Sequence, residues 1–213
     1  MALSIFLRGL IIGFSIAAPV GPIGLLCIRR SLADGRGAGF ASGLGAATAD
    51  AVYGSIAAFG LTAASEALVS QRFWLRVIGG LFLCYLGART LAASPTTETS
   101  PAGKSSVVRR SLLGAYASTL FLTLTNPMTI LSFAAIFAGL GLAGSTSDYA
   151  SAALMVLGVF AGSAAWWLLL SSGASALRNR TTTVGLAWVN RASGTIIMAF
   201  GLLALFAAAR SGP

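Results

Sequence analysis

Six long apolar segments run along the 213-residue chain, at about 5–28, 38–63, 73–93, 111–140, 150–172 and 186–209, with short polar stretches between them. A helix needs roughly 20 apolar residues to cross the hydrocarbon core of a bilayer. None of the segments alternates apolar and polar positions, as the strands of a membrane barrel do. The pattern predicts an all-α polytopic membrane protein with six transmembrane helices. The first segment, from about Ile5 to Ile28, exceeds a signal-peptide core and contains Pro19 and Pro22, so it reads as a retained span.

One polar stretch is longer than the others: Ala93 to Ser106 contains Pro95, Glu98, Pro101 and Lys104 among Ser and Thr. It divides the membrane domain into a first three-helix repeat (1–93), a linker (94–110) and a second three-helix repeat (111–213). The halves echo each other. A glycine stands thirteen residues ahead of a proline in Gly9…Pro22 and again in Gly114…Pro127. Gly45 to Gly60 lies over Gly158 to Gly173 without a gap, which places Asp50 on Ser163 and Tyr53 on Trp166. In the third segments Arg76 falls on Arg191 and Gly79 on Gly194. Three spans are an odd number, so a duplicated unit enters the membrane the second time upside down. The expected architecture is a 3+3 inverted repeat whose helices 1 and 4 are broken.

The basic residues agree with that arrangement. The stretches after the first, third and fifth segments hold ten of them: Arg29, Arg30, Arg36, Arg89, Lys104, Arg109, Arg110, Arg178, Arg180 and Arg191. The termini and the remaining loops hold four: Arg8, Arg72, Arg76 and Arg210. Positive residues collect on the cytoplasmic side, which puts the linker in the cytoplasm and both termini outside.

Composition narrows the class further. Hydrophobic residues make up 56% and charged residues only 9%, against about 25% charged in a soluble domain. Mean hydropathy is +0.86. The net charge of +9 is spread in pairs along the chain, unlike the clustered basic face of a nucleic-acid binder, so that partner is excluded. There is no histidine, and Cys27 and Cys84 stand singly in apolar stretches, so neither a metal nor a disulfide is expected. No phosphate-binding loop, zinc-ligand spacing or serine nucleophile elbow occurs, and no cofactor or enzymatic activity is expected.

A few residues carry the candidate chemistry. Asp50 is the acidic residue well inside a span, and a charge there must face the bundle or a polar cavity. Small residues and Tyr53 surround it at helical spacing, and a lone carboxyl in that setting opens a proton-carrying role. Pro19-Val20-Gly21-Pro22 removes two backbone donors, so the first span must kink or open and leave polar backbone groups in need of partners. Thr125-Asn126-Pro127 occupies the matching place in the fourth span, where Asn126 offers both a donor and an acceptor. Ser163 is the polar counterpart of Asp50. Trp166 falls mid-span, where an interfacial role is a poor explanation and a wall for an ammonium group is an alternative to packing.

Three stretches together resemble the LysE/RhtB family of bacterial amino-acid exporters: Ala18-Pro19-Val20-Gly21-Pro22-Ile23-Gly24 with the following Arg29-Arg30, then Gly43 to Gly54, then Leu124-Thr125-Asn126-Pro127. The resemblance implies an exporter of cationic or small neutral amino acids in the bacterial inner membrane, driven by proton exchange. By position it assigns the breaks to Gly21-Pro22 and Asn126-Pro127 and the acidic site to Asp50. Ile23 and Met128 stand where the family often has polar residues, which makes the cavity more apolar. The expected partners are an amino-acid substrate and membrane lipids, and the Gly-rich faces allow a homodimer. The substrate-binding set is Pro19, Gly21, Pro22, Asp50, Tyr53, Asn126, Pro127, Ser163 and Trp166, with Asp50 as the proton-coupling candidate. Two other readings stay open: an exporter of a metal ion or other small solute on a related scaffold, and a non-transport, lipid-handling membrane protein.

Overall fold

In the computed structural model the described residues are 2–19, 21–59, 70–93, 104–126, 129, 132–133, 149–178 and 181–211. Within them the chain forms seven helices and no strand: α1 (Ala2–Ala17), α2 (Pro22–Ala33), α3 (Arg36–Ala58), α4 (Arg72–Leu91), α5 (Lys104–Leu124), α6 (Tyr149–Ala176) and α7 (Thr183–Ser211). Three of them are long and apolar enough to cross a membrane alone, over Phe73–Leu91, Tyr149–Ala176 and Thr183–Arg210. The α1 and α2 helices pass that test only together, as a pair bent by 83°.

The bend has a local cause. Pro22 is the first residue of α2 and Gly21 is its N-cap, extended at φ −111° and ψ −161°. A proline tolerates the first helical turn because its missing N–H would have had no intrahelical acceptor there. At the other end of α2, Gly35 turns the chain into α3 with φ +97°, a backbone region that side chains with a Cβ rarely enter.

The α3 helix is the hidden one. Its buried positions include Ala38, Gly39, Ser42, Gly43, Gly45, Ala46, Ala47, Ala49, Asp50, Tyr53 and Gly54. Such a run of small residues lets neighbouring backbones approach closely. It packs along α6 and α5, with α2 across it, while α1 lies along α6 and α4 along α7. The outer faces are apolar instead: Leu3, Ile11, Leu81, Leu169, Leu203 and Phe206 are all exposed. A helix that meets protein on most sides need not be greasy, which explains why α3 falls short of the apolar test that the outer helices pass.

Contacts give the helix directions. Along α3 and α6, Gly43 lies against Trp167, Asp50 against Ser163 and Gly54 against Val159, so the two are antiparallel. So are α4 and α7, where Gly80 meets Gly201 and Gly87 meets Gly194. The α1 helix runs parallel to α6, with Gly9 on Met155 and Gly13 on Val159. The α5 helix runs parallel to α3: Tyr116 reaches Thr48 and Leu124 meets Tyr53. Gly45 and Gly158, paired by the alignment of the halves, make the same approach. A Cβ on Gly45 would stand 2.9 Å from the Leu120 nitrogen and one on Gly158 2.9 Å from the Leu10 nitrogen, each closer still to a carbonyl oxygen, of Tyr116 or Phe6.

Several expectations are corrected. Arg29 and Arg30 belong to α2 rather than to a loop, because the helix that restarts at Pro22 continues to Ala33. The α5 helix begins at Lys104, inside the stretch expected to be linker, so Arg109 and Arg110 are helical too. Arg191 likewise lies within α7. The Gly…Pro echo is not matched in packing. Gly9 is buried against Met155, whereas among the described residues nothing lies within 4 Å of a Cβ on Gly114. Pro127 lies outside the described residues.

These contacts set a paired test of stability. Gly158→Ala forces a Cβ into the α1 backbone and is expected to cost about 1–3 kcal/mol. Gly114→Ala meets no atom of the described residues within 4 Å, and the lost glycine entropy makes it neutral or stabilising by up to roughly 1 kcal/mol. Thermal unfolding of the two variants in detergent checks the difference in sign.

Candidate functional site

At the crossing of α3 and α6 three side chains form a buried chain of hydrogen bonds. The Ser163 hydroxyl donates to Oδ2 of Asp50 at 2.7 Å. The indole N–H of Trp167 donates in turn to the Ser163 oxygen at 3.1 Å. Asp50 is 3% exposed, Ser163 0% and Trp167 4%. A serine hydroxyl can accept and donate at once, so the indole polarises the bond that Ser163 gives the carboxyl. The immediate partner of the carboxyl is thus a hydroxyl rather than a cation.

The break between α1 and α2 lies close by. Ala46 and Ala47, one helical turn before Asp50, are buried in a cluster with Ala17, Cys27 and Trp167, and Ile23 and Trp166 pack at its edge. Ala17 ends α1 and Ile23 follows Pro22, so both flanks of the break belong to the apolar cluster that holds Ala46 and Ala47 of α3. Gly21 and Pro22 are half-buried and Pro19 is exposed. Among the described residues nothing lies within 4 Å of a Cβ on Gly21. The α2 amides at the break have no side-chain cap, and a helix start of this kind carries partial positive charge.

One turn beyond Asp50, Tyr53 points to the end of α5. Its hydroxyl donates to the Leu124 carbonyl at the end of α5. Its ring lies 6.0 Å from that of Phe133. There the Asn126 N–H donates to the Thr123 carbonyl at 3.1 Å, and the Asn126 carbonyl accepts from the Thr129 N–H at 3.1 Å. Tyr53 therefore satisfies a carbonyl released where α5 stops.

Of the residues expected at the site, Asp50 and Ser163 touch directly, Tyr53 bonds the Leu124 carbonyl two residues before Asn126, and Gly21 and Pro22 stand at the start of α2. Trp166 lies outside that hydrogen-bond chain. It stacks edge-on against Phe14 of α1 at 5.3 Å, and the indole joined to Asp50 is that of Trp167. The missed signal was spacing: Trp167 follows Ser163 by four residues and so shares its face, whereas the repeat alignment drew attention to the position before it. Arg30 was missed as well, because a double arginine at a span end is fully explained as an orientation signal. Among the described residues no three His, Cys, Asp or Glu side chains gather as a metal site.

A model of the LysE type translocator family matches residues 14–208. The chain belongs to the LysE type translocator family. It is accordingly a multi-pass membrane translocator, in keeping with its apolar helices. It is 30% identical over 204 residues to "Putative amino acid efflux protein YcgF" of Bacillus subtilis (strain 168), covering 93% of this chain and 94% of that protein. It is 29% identical over 110 residues to "Uncharacterized membrane protein YahN" of Escherichia coli (strain K12), covering 52% of this chain and 48% of the other. No solved structure matches the chain.

The hydrogen-bond chain sets its own test. Ser163→Ala strips a buried carboxyl of its donor and is expected to cost about 1–3 kcal/mol. Asp50→Asn costs less, since an amide carbonyl still accepts from Ser163. Asp50→Ala removes the acceptor altogether; unfolding midpoints of that variant, of Ser163→Ala and of the double variant separate the pair, and strict additivity in that cycle would mean that the contact contributes nothing.

Proposed function

We propose that this LysE type translocator exports amino acids or closely related small metabolites across the bacterial inner membrane, by proton-coupled alternating access in a six-span 3+3 inverted repeat. The observation that carries the reading is the buried Asp50–Ser163 hydrogen bond. It joins residues at equivalent positions of the two halves, as expected where a two-fold axis relating them passes through a shared site. The helix directions support the same arrangement. Inverted halves require antiparallel second and fifth spans and antiparallel third and sixth spans, and α3–α6 and α4–α7 run that way. They also require the first span beside the fifth to mirror the fourth beside the second, as α1–α6 and α5–α3 do.

In this mechanism Asp50 alternates between a proton and the substrate ammonium. The Ser163 hydroxyl turns with it, as donor to the carboxylate or acceptor from the carboxylic acid. The breaks at Gly21-Pro22 and Asn126 supply backbone groups at the same depth and let each broken span bend as one half rocks against the other. Trp167 holds Ser163 in place. The efflux named for the Bacillus subtilis relative, which the chain matches over nearly its whole length, supports the direction of transport. The basic stretches place both termini outside.

Everted membrane vesicles loaded with a proton gradient test the reading with L-lysine, L-threonine and L-leucine. Wild-type protein is expected to drive uptake that collapses with the gradient. Asp50→Asn is expected to lower it by at least about tenfold, the loss of one proton-transfer group being typically 10²–10⁴ in rate where transfer is direct. Full gradient-driven uptake by that variant would remove Asp50 from the mechanism.

A further inference from the structure

Arg30 is a cation held by neutral groups. In the second half of α2 its side chain leaves the helix toward α3 and α5. Nη1 donates to the Ser42 hydroxyl at 2.8 Å, to the Thr119 hydroxyl at 3.0 Å and to the Ala115 carbonyl at 3.0 Å. Nη2 donates to the Ser118 hydroxyl at 2.8 Å. The four acceptors are three hydroxyls and a carbonyl, and the side chain is half-buried. Removing a guanidinium from water is costly, and a carboxylate in forked contact repays that cost better than hydroxyls do. Asp34, the exposed C-cap of α2, acts on Arg30 by charge, together with the like charges of Arg29 and Arg89.

The acceptors are also dispensable to themselves. Ser42 already donates to the Ala38 carbonyl, Ser118 to Ala115 and Thr119 to Ala115. Each hydroxyl has therefore placed its proton on its own helix and lends Arg30 only a lone pair. If the guanidinium leaves, no donor is orphaned, and acceptors bear that loss more easily. The set holds the cation without binding it irreversibly, which is the property of a hand-over site.

The geometry points to Arg30 as the residue that takes the substrate's carboxylate at the α2 end of the pathway, releasing α2 from α3 and α5 as it does so. This deepens the export reading and rests on it, including the orientation that turns this end of α2 to the cytoplasm. Arg30 lies eight residues beyond Pro22, about 12 Å along the helix, so it forms a station ahead of the break and of Asp50. Arg29 ties the same turn to α7 through Asn190, whose own amide donates to the Ala93 carbonyl. Arg29 thus anchors α2 to the far side while Arg30 changes partners.

Cys27 reports the event. Its thiol is fully buried in the α2–α3 seam, donating to the Gly39 carbonyl at 3.2 Å. In a Cys84→Ser background it is the sole cysteine, and its alkylation by N-ethylmaleimide in membranes measures separation of the two helices. Arg30→Gln is expected to speed the reaction about tenfold, the worth of one charge-assisted contact. L-lysine, L-threonine and L-leucine are each compared with their methyl esters, which keep the ammonium and lose the carboxylate charge. At least one acid is expected to speed alkylation of the Arg30 protein where its ester does not. Arg30→Lys keeps a charge without the fork and is expected to reduce that difference, so the test survives if Arg30→Gln does not fold. Equal rates with acid and ester, including no response to either, overturn the assignment. So does an unchanged rate in a folded Arg30→Gln protein. Acid-selective alkylation in a protein that moves none of the three amino acids in everted vesicles keeps the site and sinks the export reading instead.

Discussion

A bilayer supplies no water to a buried polar group, so every such group inside a membrane helix must find its partner in the protein. In this chain the most demanding of them is Asp50, and its carboxyl is met by Ser163 from across the α3–α6 crossing, with Trp167 behind. The crossing must therefore be close and its register kept. Glycine at position 43 lets Trp167 come in on one side of the bond, where a Cβ would collide with the Trp167 Cβ, and Gly54 meets Val159 on the other. The two central helices, one from each half, are thereby joined by a polar contact that a greasier pair of helices would not need.

Much of the remaining architecture follows from keeping α3 central. Its small residues are used on several sides at once, by α6, α5 and α2. Larger apolar side chains are displaced to α1, α4, α6 and α7, which face outward. Breaking the first span is compatible with the same arrangement, because the flanks of the break, Ala17 and Ile23, belong to the apolar cluster that holds Ala46 and Ala47. Polar backbone at membrane depth is tolerated only where protein or a cavity covers it. The end of α5 is served in the same manner by Tyr53, whose hydroxyl takes up the Leu124 carbonyl.

Residues that announce themselves by chemistry were the ones to look for. An aspartate in an apolar span and a Pro-x-Gly-Pro run are costly unless used; Asp50 is buried on Ser163, and a new helix starts at Pro22. Ser163 was reachable because the alignment of the halves placed it on Asp50. Residues with an adequate bland explanation were passed over. Arg29 and Arg30 satisfy the positive-inside bias, and only coordinates reveal that the helix restarted at Pro22 carries them between other helices. Trp166 and Trp167 are indistinguishable by composition, and a single residue of helical phase, about 100°, separates the one on Phe14 from the one on Ser163.

By itself the sequence determined the class of protein, since a chain with 9% charged residues and long apolar runs cannot cover a water-facing surface. It also determined where the first helix would break, because proline removes a backbone donor wherever it stands. Tertiary structure alone decided which polar groups meet. Hydrogen bonds are short and directional, so Ser163 on Asp50, Tyr53 on Leu124 and Arg30 among three hydroxyls depend on the rotation and register of packed helices. Apolar periodicity in a membrane specifies those poorly, because lipid and protein neighbours are equally greasy. The glycines, whose positions were visible but whose partners were not, turned that freedom into one arrangement.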